Sequence, residues 1–267
     1  MPVLVTAAHQ PLARRLAARL LEEGGEVRVF ADGDVGSLRA AGAFVSMGTA
    51  DDEGRLEAAL ADVHTLVHLG GALPLGDPEQ VLADARVVVR AATNAGVRRV
   101  LLRSLPGAEA TATDPMRRAL AEVEGLVAQV PCPTVVIRAG LVDTPQLRDA
   151  LVTGGLGDAL DVAVAPLRGS DLLELVAAFD RARSSSSRGH LLVSADGPLR
   201  TSVAGYLDRV GAATVGRGPL VGRRLPDPEA AASLASVLRG PWWSTDPTVL
   251  NGWDFAGIEP TVPGPGG

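Results

Sequence analysis

The sequence contains no lysine, one cysteine and one tyrosine, and aromatic residues make up only 3% of its 267 positions. All 25 basic residues are therefore arginines, and no site on this chain can depend on a lysine amine. The single Cys132 excludes an internal disulfide and any metal site built from several thiolates. We expect a small core residue at this position, in a protein of the reducing cytoplasm.

The chain also lacks an excess of positive charge and a long apolar run. Its formal net charge of -6 gives no basic footprint for a phosphate backbone or an anionic lipid surface, so neither nucleic acid nor membrane is an expected partner. No stretch of about 18 uninterrupted apolar residues occurs. The N-terminus has no basic region followed by an apolar stretch, as a secretory signal requires. These absences predict a cytoplasmic protein whose partners are small molecules or other proteins.

Short apolar runs alternate with Ala-, Leu- and Arg-rich stretches of helical period along the first half of the chain. This alternation is typical of βαβ units and predicts an α/β fold with a doubly wound parallel sheet. The predicted strands cover residues 3–6, 26–30, 43–47, 65–69, 99–102 and 134–138. The predicted helices between them cover residues 11–23, 35–41, 52–61, 78–95 and 115–129.

The pattern loosens beyond Gly140, where glycine and proline become more frequent. We therefore divide the chain into a sheet domain over residues 1–143 and a small C-terminal lobe over residues 144–260, which packs on that domain. Within the lobe we expect a strand at 191–193, a loop at 184–187 and helices at 171–183, 202–210 and 228–238. The Pro- and Gly-rich tail, residues 261–267, is expected to be disordered.

Four local phrases in this order carry a family resemblance. They are VTAAHQPLA from Val5, VHLGG from Val67, ATNAGVRRV from Ala92 and IRAGLV from Ile137. Together they resemble the atypical and extended short-chain dehydrogenases/reductases, the group that includes NAD-dependent epimerase/dehydratases and NmrA-like proteins. The resemblance covers essentially the whole chain and implies a Rossmann-like fold with an NAD(P) site.

The resemblance implies a cofactor site at the turn after the first strand. The residues that would form it are Thr6, Ala7, Gln10, Pro11, Leu12, Asp32, Leu69, Gly70 and Gly71. The family's three turn glycines are Ala7, Gln10 and Ala13 here, and the Gln10 side chain would occupy space that a pyrophosphate needs. The helix N-terminus still offers N–H groups to an anion, so we expect NAD(P) binding to be weakened without being abolished. Asp32 would accept ribose hydroxyls, or else it belongs to an ordinary turn over residues 31–34.

The same resemblance places the catalytic residues. Ser104 stands at the position of the family's catalytic Ser, or else it only caps the end of a strand. Met116 and Leu120 stand where the family has its Tyr and Lys, and neither can transfer a proton. The only tyrosine, Tyr206, is far away in the sequence. Arg117 and Arg118 could provide cations near the pocket, although an arginine pair on a helix usually forms a solvated face.

Other chemistries find little support. His64 and His68 have metal-ligand spacing, but on a strand residues four apart are roughly 13 Å from each other, so no metal site is expected. His68 is better explained as a hydrogen-bonded core histidine than as a base. No Gly-x-Ser-x-Gly elbow supports a hydrolase. All three tryptophans lie between Trp242 and Trp253, where with Phe255 they could line a pocket, form a partner surface or fasten the C-terminal segment to the domain.

Three functions remain open on these grounds. The first is a ligand-binding or regulatory protein without dehydrogenase chemistry, because the glycine turn and the Tyr/Lys pair are altered together. The second is an NAD(P)-dependent epimerase, dehydratase or reductase with an unusual active site. The third is an oligomer-forming subunit, for which the helix over residues 114–128 could form a homodimer interface.

Overall fold

We analysed a computed structural model of the chain, which describes residues 1–70, 77–153, 157–181, 189–197, 200–210 and 237–240. The main sheet is made of β1 (Val3–Thr6), β2 (Val27–Ala31), β3 (Phe44–Met47), β4 (Thr65–His68), β5 (Arg99–Ser104), β6 (Thr134–Ala139) and β10 (His190–Ala195). Four strands of two residues, β7 (Val142–Asp143), β8 (Ala163–Val164), β9 (Leu167–Arg168) and β11 (Thr201–Ser202), form two small ladders.

Eight α-helices and one 3-10 turn connect these strands in the described part of the chain. They are α1 (Pro11–Glu22), α2 (Gly36–Ala40), α3 (Glu53–Leu60), α4 (Pro78–Ala95), α5 (Pro115–Val127), α6 (Pro145–Thr153), α7 (Gly169–Arg181) and α8 (Val203–Arg209), with the 3-10 turn at Gly157–Asp161. The carboxylates of Asp52, Asp77 and Asp114 accept backbone N–H groups at the starts of α3, α4 and α5. These aspartates satisfy donors that the first turn of a helix leaves free.

The seven strands of the main sheet are all parallel and lie in the order β10-β6-β5-β4-β1-β2-β3. The predicted fold class is thus confirmed. The strand order reverses between β1 and β4, and in open parallel sheets ligands bind beyond the carboxyl ends of the strands at such a reversal.

Two hydrophobic clusters cover the two faces of the sheet. Alternate strand residues point to opposite faces, as the period of a strand requires. Val3 and Val5 face α1, α2 and α7, whereas Leu4 faces α3, α4 and α5. A third cluster joins α5 to the C-terminal elements and contains Leu105, Met116, Leu120, Leu141, Leu147, Tyr206 and Leu207 among others.

The predicted elements agree with the structure to within two residues from β1 to β6. Beyond Gly140, α6 and the four short strands had not been predicted. The predicted strand at 191–193 exists as β10, and it extends the main sheet beside β6. Helix α7 also packs on α1, where Arg181 bridges Glu23 and Glu174. Some of the chain after residue 143 therefore belongs to the central layers, while the division into domain and lobe stays a prediction.

The prediction of a solvated arginine pair on α5 is wrong for Arg117. Its side chain is 1% exposed, and the guanidinium donates to Asp114 Oδ2, at 2.8 Å, and to the carbonyls of Pro106 and Val237. Burial lowers the pKa of Arg117, and Asp114 opposes this effect. Arg118 is exposed, as predicted. A buried cation thus fastens α5 to the segment at Val237.

Several predictions fall on residues outside the described ranges. These are the loop at 184–187, most of the helix at 228–238, the tail, the tryptophans and Gly71. None of the helices in the described part has both the length and the apolar character that a membrane crossing needs.

Candidate functional site

A cleft of about 540 Å³ opens at the carboxyl edge of the sheet, where the strand order reverses between β1 and β4. Its size suits a small organic molecule. Most of the residues assigned to the cofactor site by resemblance line it, namely Thr6, Ala7, Gln10, Pro11, Asp32, Leu69 and Gly70. Leu12, in the first turn of α1, is buried in the hydrophobic core instead. Ser104 and Leu120 also line the cleft, so the predicted cofactor and catalytic positions share one site.

The turn from β1 to α1 keeps a left-handed residue although it has no glycine. Ala7 has a φ of +51°, and the N–H of Gln10 donates to its carbonyl at 2.8 Å. A side chain in this conformation costs about 1–2 kcal/mol, which is why glycine is usual there. Helix α1 then begins at Pro11, and the N-cap residue Gln10 makes no side-chain cap. The turn therefore contains a left-handed residue at the position of the first glycine. The side chains at the three glycine positions occupy space that glycines would leave open to a ligand.

His9 occupies the mouth of this turn and closes it against the end of β2. Its Nδ1 lies 2.7 Å from Asp32 Oδ1, an ion-pair distance without the alignment of a hydrogen bond. Gln10 Nε2 lies 2.9 Å from His9 Nε2 and forms a hydrogen bond with it. The ring also packs on Gly33, where an added Cβ would come within 2.9 Å of His9 Cβ.

His9 is not among the residues that the sequence predicts for the site. The available signal was its position in the turn, two residues after the alanine that replaces the first glycine. Asp32 had been given two alternatives, a ribose acceptor or an ordinary turn residue. The structure places it in the cleft with His9 as its partner.

The side chains of His9 and Gln10 line the cleft at the turn where a dinucleotide would approach. The His9 ring stands against Oδ1 of Asp32, whose side chain is 49% exposed, and a pyrophosphate at the N-terminus of α1 would meet the Gln10 side chain that is bonded to that ring. Carboxylates outnumber arginines among the described lining residues, which include Asp32, Asp77, Asp84 and Arg103. Burial lowers the pKa of Arg103 to about 10, so its guanidinium stays charged at neutral pH.

The three positions assigned to catalysis are all buried. Met116 is 1% exposed and Leu120 is 6% exposed, and both belong to the third hydrophobic cluster. Ser104 ends β5 and is 2% exposed, and its Oγ has no hydrogen-bond partner among the described residues. Ser104 does not cap a loop through its hydroxyl there. A buried hydroxyl without a partner inside a cleft is a group that a ligand can satisfy.

His68 ends β4 and lines the cleft from below. Thr6 Oγ1 lies 3.3 Å from the carbonyl oxygen of Val67 and 2.7 Å from His68 Nδ1, with which it forms a hydrogen bond. Burial lowers the pKa of His68, and the nearby Asp84 opposes this effect. The prediction of a hydrogen-bonded histidine is confirmed, although the residue also borders the site.

The only tyrosine belongs to a separate ionic cluster in the C-terminal elements. Tyr206 donates from its hydroxyl to Asp143 Oδ1, and Arg148 binds both oxygens of the same carboxylate at 2.7 and 2.9 Å. Burial and the bond to Asp143 raise the pKa of Tyr206. A phenol held in this way is a poor proton donor. Within the described residues, no group of three or more His, Cys, Asp and Glu side chains could hold a metal ion.

Neither a protein-family model nor a curated protein matches the sequence. Solved structures do match its fold. The triphenylmethane reductase of Citrobacter sp., complexed with NADP(H), has a TM-score of 0.72 at 17% identity over 92% of this chain and 93% of that chain. A nucleoside-diphosphate-sugar epimerase from Staphylococcus aureus has a TM-score of 0.70 at 13% identity over 90% and 89% of the two chains. The UDP-glucose 4-epimerase of Thermotoga maritima, with UDP-glucose, has 0.62 at 15% identity over 82% and 84%.

These likenesses confirm the Rossmann-like fold that the four sequence phrases imply. The first two neighbours are covered over nearly their whole length, so the agreement includes the elements after β6 as well as the sheet.

Proposed function

We propose that this protein binds a small molecule on a Rossmann scaffold and serves as a ligand-binding or regulatory protein, without the Tyr/Lys hydride chemistry of short-chain dehydrogenases. The observation that carries the proposal is the burial of Met116 and Leu120 in an apolar cluster at the positions of the acid/base pair. The chain has no lysine to substitute for the missing one. Apolar side chains at both positions cannot relay a proton to a substrate oxygen.

The cofactor turn supports the same proposal. His9 meets the carboxylate that would accept ribose hydroxyls, and Gln10 holds His9 in place. The aspartates of the cleft would repel a pyrophosphate. We therefore propose that NAD(P) does not bind with the affinity of a resident cofactor.

A second candidate is an NAD(P)-dependent reductase, epimerase or dehydratase with an unusual active site. Two observations favour it: the left-handed Ala7 preserves the cofactor turn, and Ser104 offers a free hydroxyl at the family's catalytic position. The structural neighbours of the chain also include a reductase solved with NADP(H) and a nucleoside-diphosphate-sugar epimerase. Membership of the extended short-chain dehydrogenase superfamily is part of either proposal.

Partners and location belong to the proposal as well. We propose a small-molecule or protein partner in the cytoplasm, with neither nucleic acid nor membrane as a partner. A homodimer through the outer side of α5, next to α4, stays a prediction that light scattering on the purified protein would test.

The decisive experiment is thermal unfolding with 1 mM NAD⁺, NADH, NADP⁺ or NADPH, together with nucleotide fluorescence. A nucleotide with a Kd of about 10 μM would stabilise the native state by about 2.7 kcal/mol and raise the Tm by roughly 5–10 °C. We expect no shift. A shift that Asp32→Asn reduces and the exposed control Asp208→Asn leaves intact would establish the second candidate and overturn the first.

A further inference from the structure

The cleft combines an apolar wall with a free hydroxyl and an excess of negative charge. From this combination we infer that it takes an organic cation, a molecule with an apolar body and one protonated or quaternary nitrogen. The inference rests on the proposed function, because it assigns the ligand class of the same cleft in place of a dinucleotide.

The apolar wall determines the body of the ligand. Side chains of β5, α4 and α5 that line the cleft include Leu102, Ala85, Val88, Leu120 and Val123. They present methyl groups and no hydrogen-bonding atoms. An apolar ligand body gains by leaving water for such a surface.

The hydroxyl of Ser104 determines one polar contact. Its side chain is 98% buried, lines the cleft and has no hydrogen-bond partner among the described residues. A buried polar atom of this kind is satisfied in most proteins, and exceptions commonly mark a site that a ligand completes. A hydroxyl can accept from an ammonium N–H or donate to a ligand oxygen, so it suits a protonated amine.

The carboxylates determine the charge of the ligand. Asp77 and Asp84 meet uncharged donors, the N–H of Glu79 and the side-chain amide of Gln80, so these contacts leave both negative charges uncompensated. The positive charge among the lining residues is that of Arg103. His68, whose pKa is lowered by burial, is neutral at pH 7. A cleft lined mainly by one sign of charge concentrates ions of the opposite sign.

The test compares three fluorescent probes that share a naphthalene body and differ in charge. They are 2-(1-naphthyl)ethylamine, 2-(1-naphthyl)ethanol and 1-naphthaleneacetate, titrated into the full chain at pH 7 and low salt by calorimetry and anisotropy. We expect the amine to bind at least tenfold more tightly than the carboxylate, with the alcohol between them. Equal binding of the amine and the carboxylate, or no binding of the amine, would overturn the inference.

Variants then assign the binding to this cleft. Asp77→Asn/Asp84→Asn keeps the N-cap of α4 and the oxygen that accepts from Gln80, and should reduce the preference for the amine at least threefold. Asp208→Asn, which removes one negative charge from an exposed position on α8, should leave it unchanged. Ser104→Ala should weaken the amine about threefold. A preference that survives the double substitution would show that the amine binds elsewhere and would refute the site.

The nucleotide titration separates this inference from the proposed function. If no probe binds and no nucleotide raises the Tm, the ligand class is wrong and the absence of a resident cofactor stands. If NADH binds and displaces the amine, both the inferred ligand class and the proposed function are wrong.

Discussion

The imidazole Nδ1 of His68 lies 2.7 Å from Oγ1 of Thr6, so the ends of the adjacent strands β4 and β1 are joined by a side-chain hydrogen bond at the floor of the cleft. Thr6 Oγ1 also lies 3.3 Å from the carbonyl oxygen of Val67. These contacts provide hydrogen-bond partners for Thr6, which is buried, and for His68, which is half-buried, where the strand order of the sheet reverses. It also makes the histidine a sensor of pH for the stability of the fold.

We expect the free energy of unfolding to fall as the pH decreases below about 6.5, and His68→Gln to flatten this dependence. Burial lowers the pKa of His68 in the native state, so the unfolded chain binds more protons between that lowered value and the ordinary one. The histidine therefore contributes its full stability above about pH 6.5 and loses it in acid. Urea unfolding at pH 7, 6 and 5 measures the slope.

His190→Gln is the matched control for this measurement. His190 also bonds a threonine, Thr134, at 2.8 Å, but its side chain is exposed. We expect the slope to remain in this variant. His64, whose pKa burial also lowers, contributes to the part of the slope that His68→Gln leaves. An unchanged slope in His68→Gln would mean that the environment of this histidine does not lower its pKa in the native state.

Ala7→Gly should stabilise the protein by about 1 kcal/mol. The φ of +51° at this residue is strained for alanine and free of strain for glycine, and the gain exceeds the entropy that glycine adds to the unfolded chain. The neighbouring Ala8→Gly is the control. Ala8 is fully buried and its φ is not positive, so glycine there should lower the stability by about 1 kcal/mol. Destabilisation by Ala7→Gly would show that the turn has a different shape.

Arg117→Met should lower the free energy of unfolding by about 3 kcal/mol. The substitution leaves the buried Asp114 carboxylate without its cation and removes the donor to the Pro106 and Val237 carbonyls. Arg118→Met, one residue along on the exposed side of α5, should change it by less than about 0.5 kcal/mol. Arg117→Met/Asp114→Asn should recover part of the loss, because no unpaired charge remains. Equal effects of the two arginine substitutions would contradict the buried ion pair.

The pattern of the sequence was sufficient for the sheet up to β6. Val3, Leu4 and Val5 are apolar on both faces, as a strand buried between two helical layers must be, and Pro at the start of α1, α4 and α5 marks the helix boundaries. The pairing of β10 with β6 could not be predicted in this way, because the residue pattern of a strand does not indicate which strand of the sheet it pairs with. The four short strands have two residues each and show no period.

The candidate site was predicted in its location but not in its contacts. The Rossmann resemblance brought Thr6, Asp32 and Ser104 to one edge of the sheet, where they line one cleft. The pairing of His9 with Asp32 depends on two turns that meet only in the folded chain. The burial of Arg117 depends likewise on Val237, which follows it by 120 positions. When the partner of a charged residue is far away in the sequence, the neighbouring residues do not indicate that the charged residue is buried or paired.

Ser104→Ala distinguishes a binding residue from a structural one. In the described structure the hydroxyl has no partner, so its removal relieves an unsatisfied buried group, and we expect a change in stability between zero and about +1 kcal/mol. Thr134→Val removes a buried hydroxyl that does have a partner, His190, and should cost about 1 kcal/mol. Chemical denaturation of the three proteins at pH 7 gives both values. A loss of more than about 1 kcal/mol in Ser104→Ala would assign the serine to the fold. If Ser104→Ala leaves the stability unchanged but binds the naphthylethylamine more weakly, the role of the Ser104 hydroxyl is ligand binding. The substitution would then impair binding without impairing the fold.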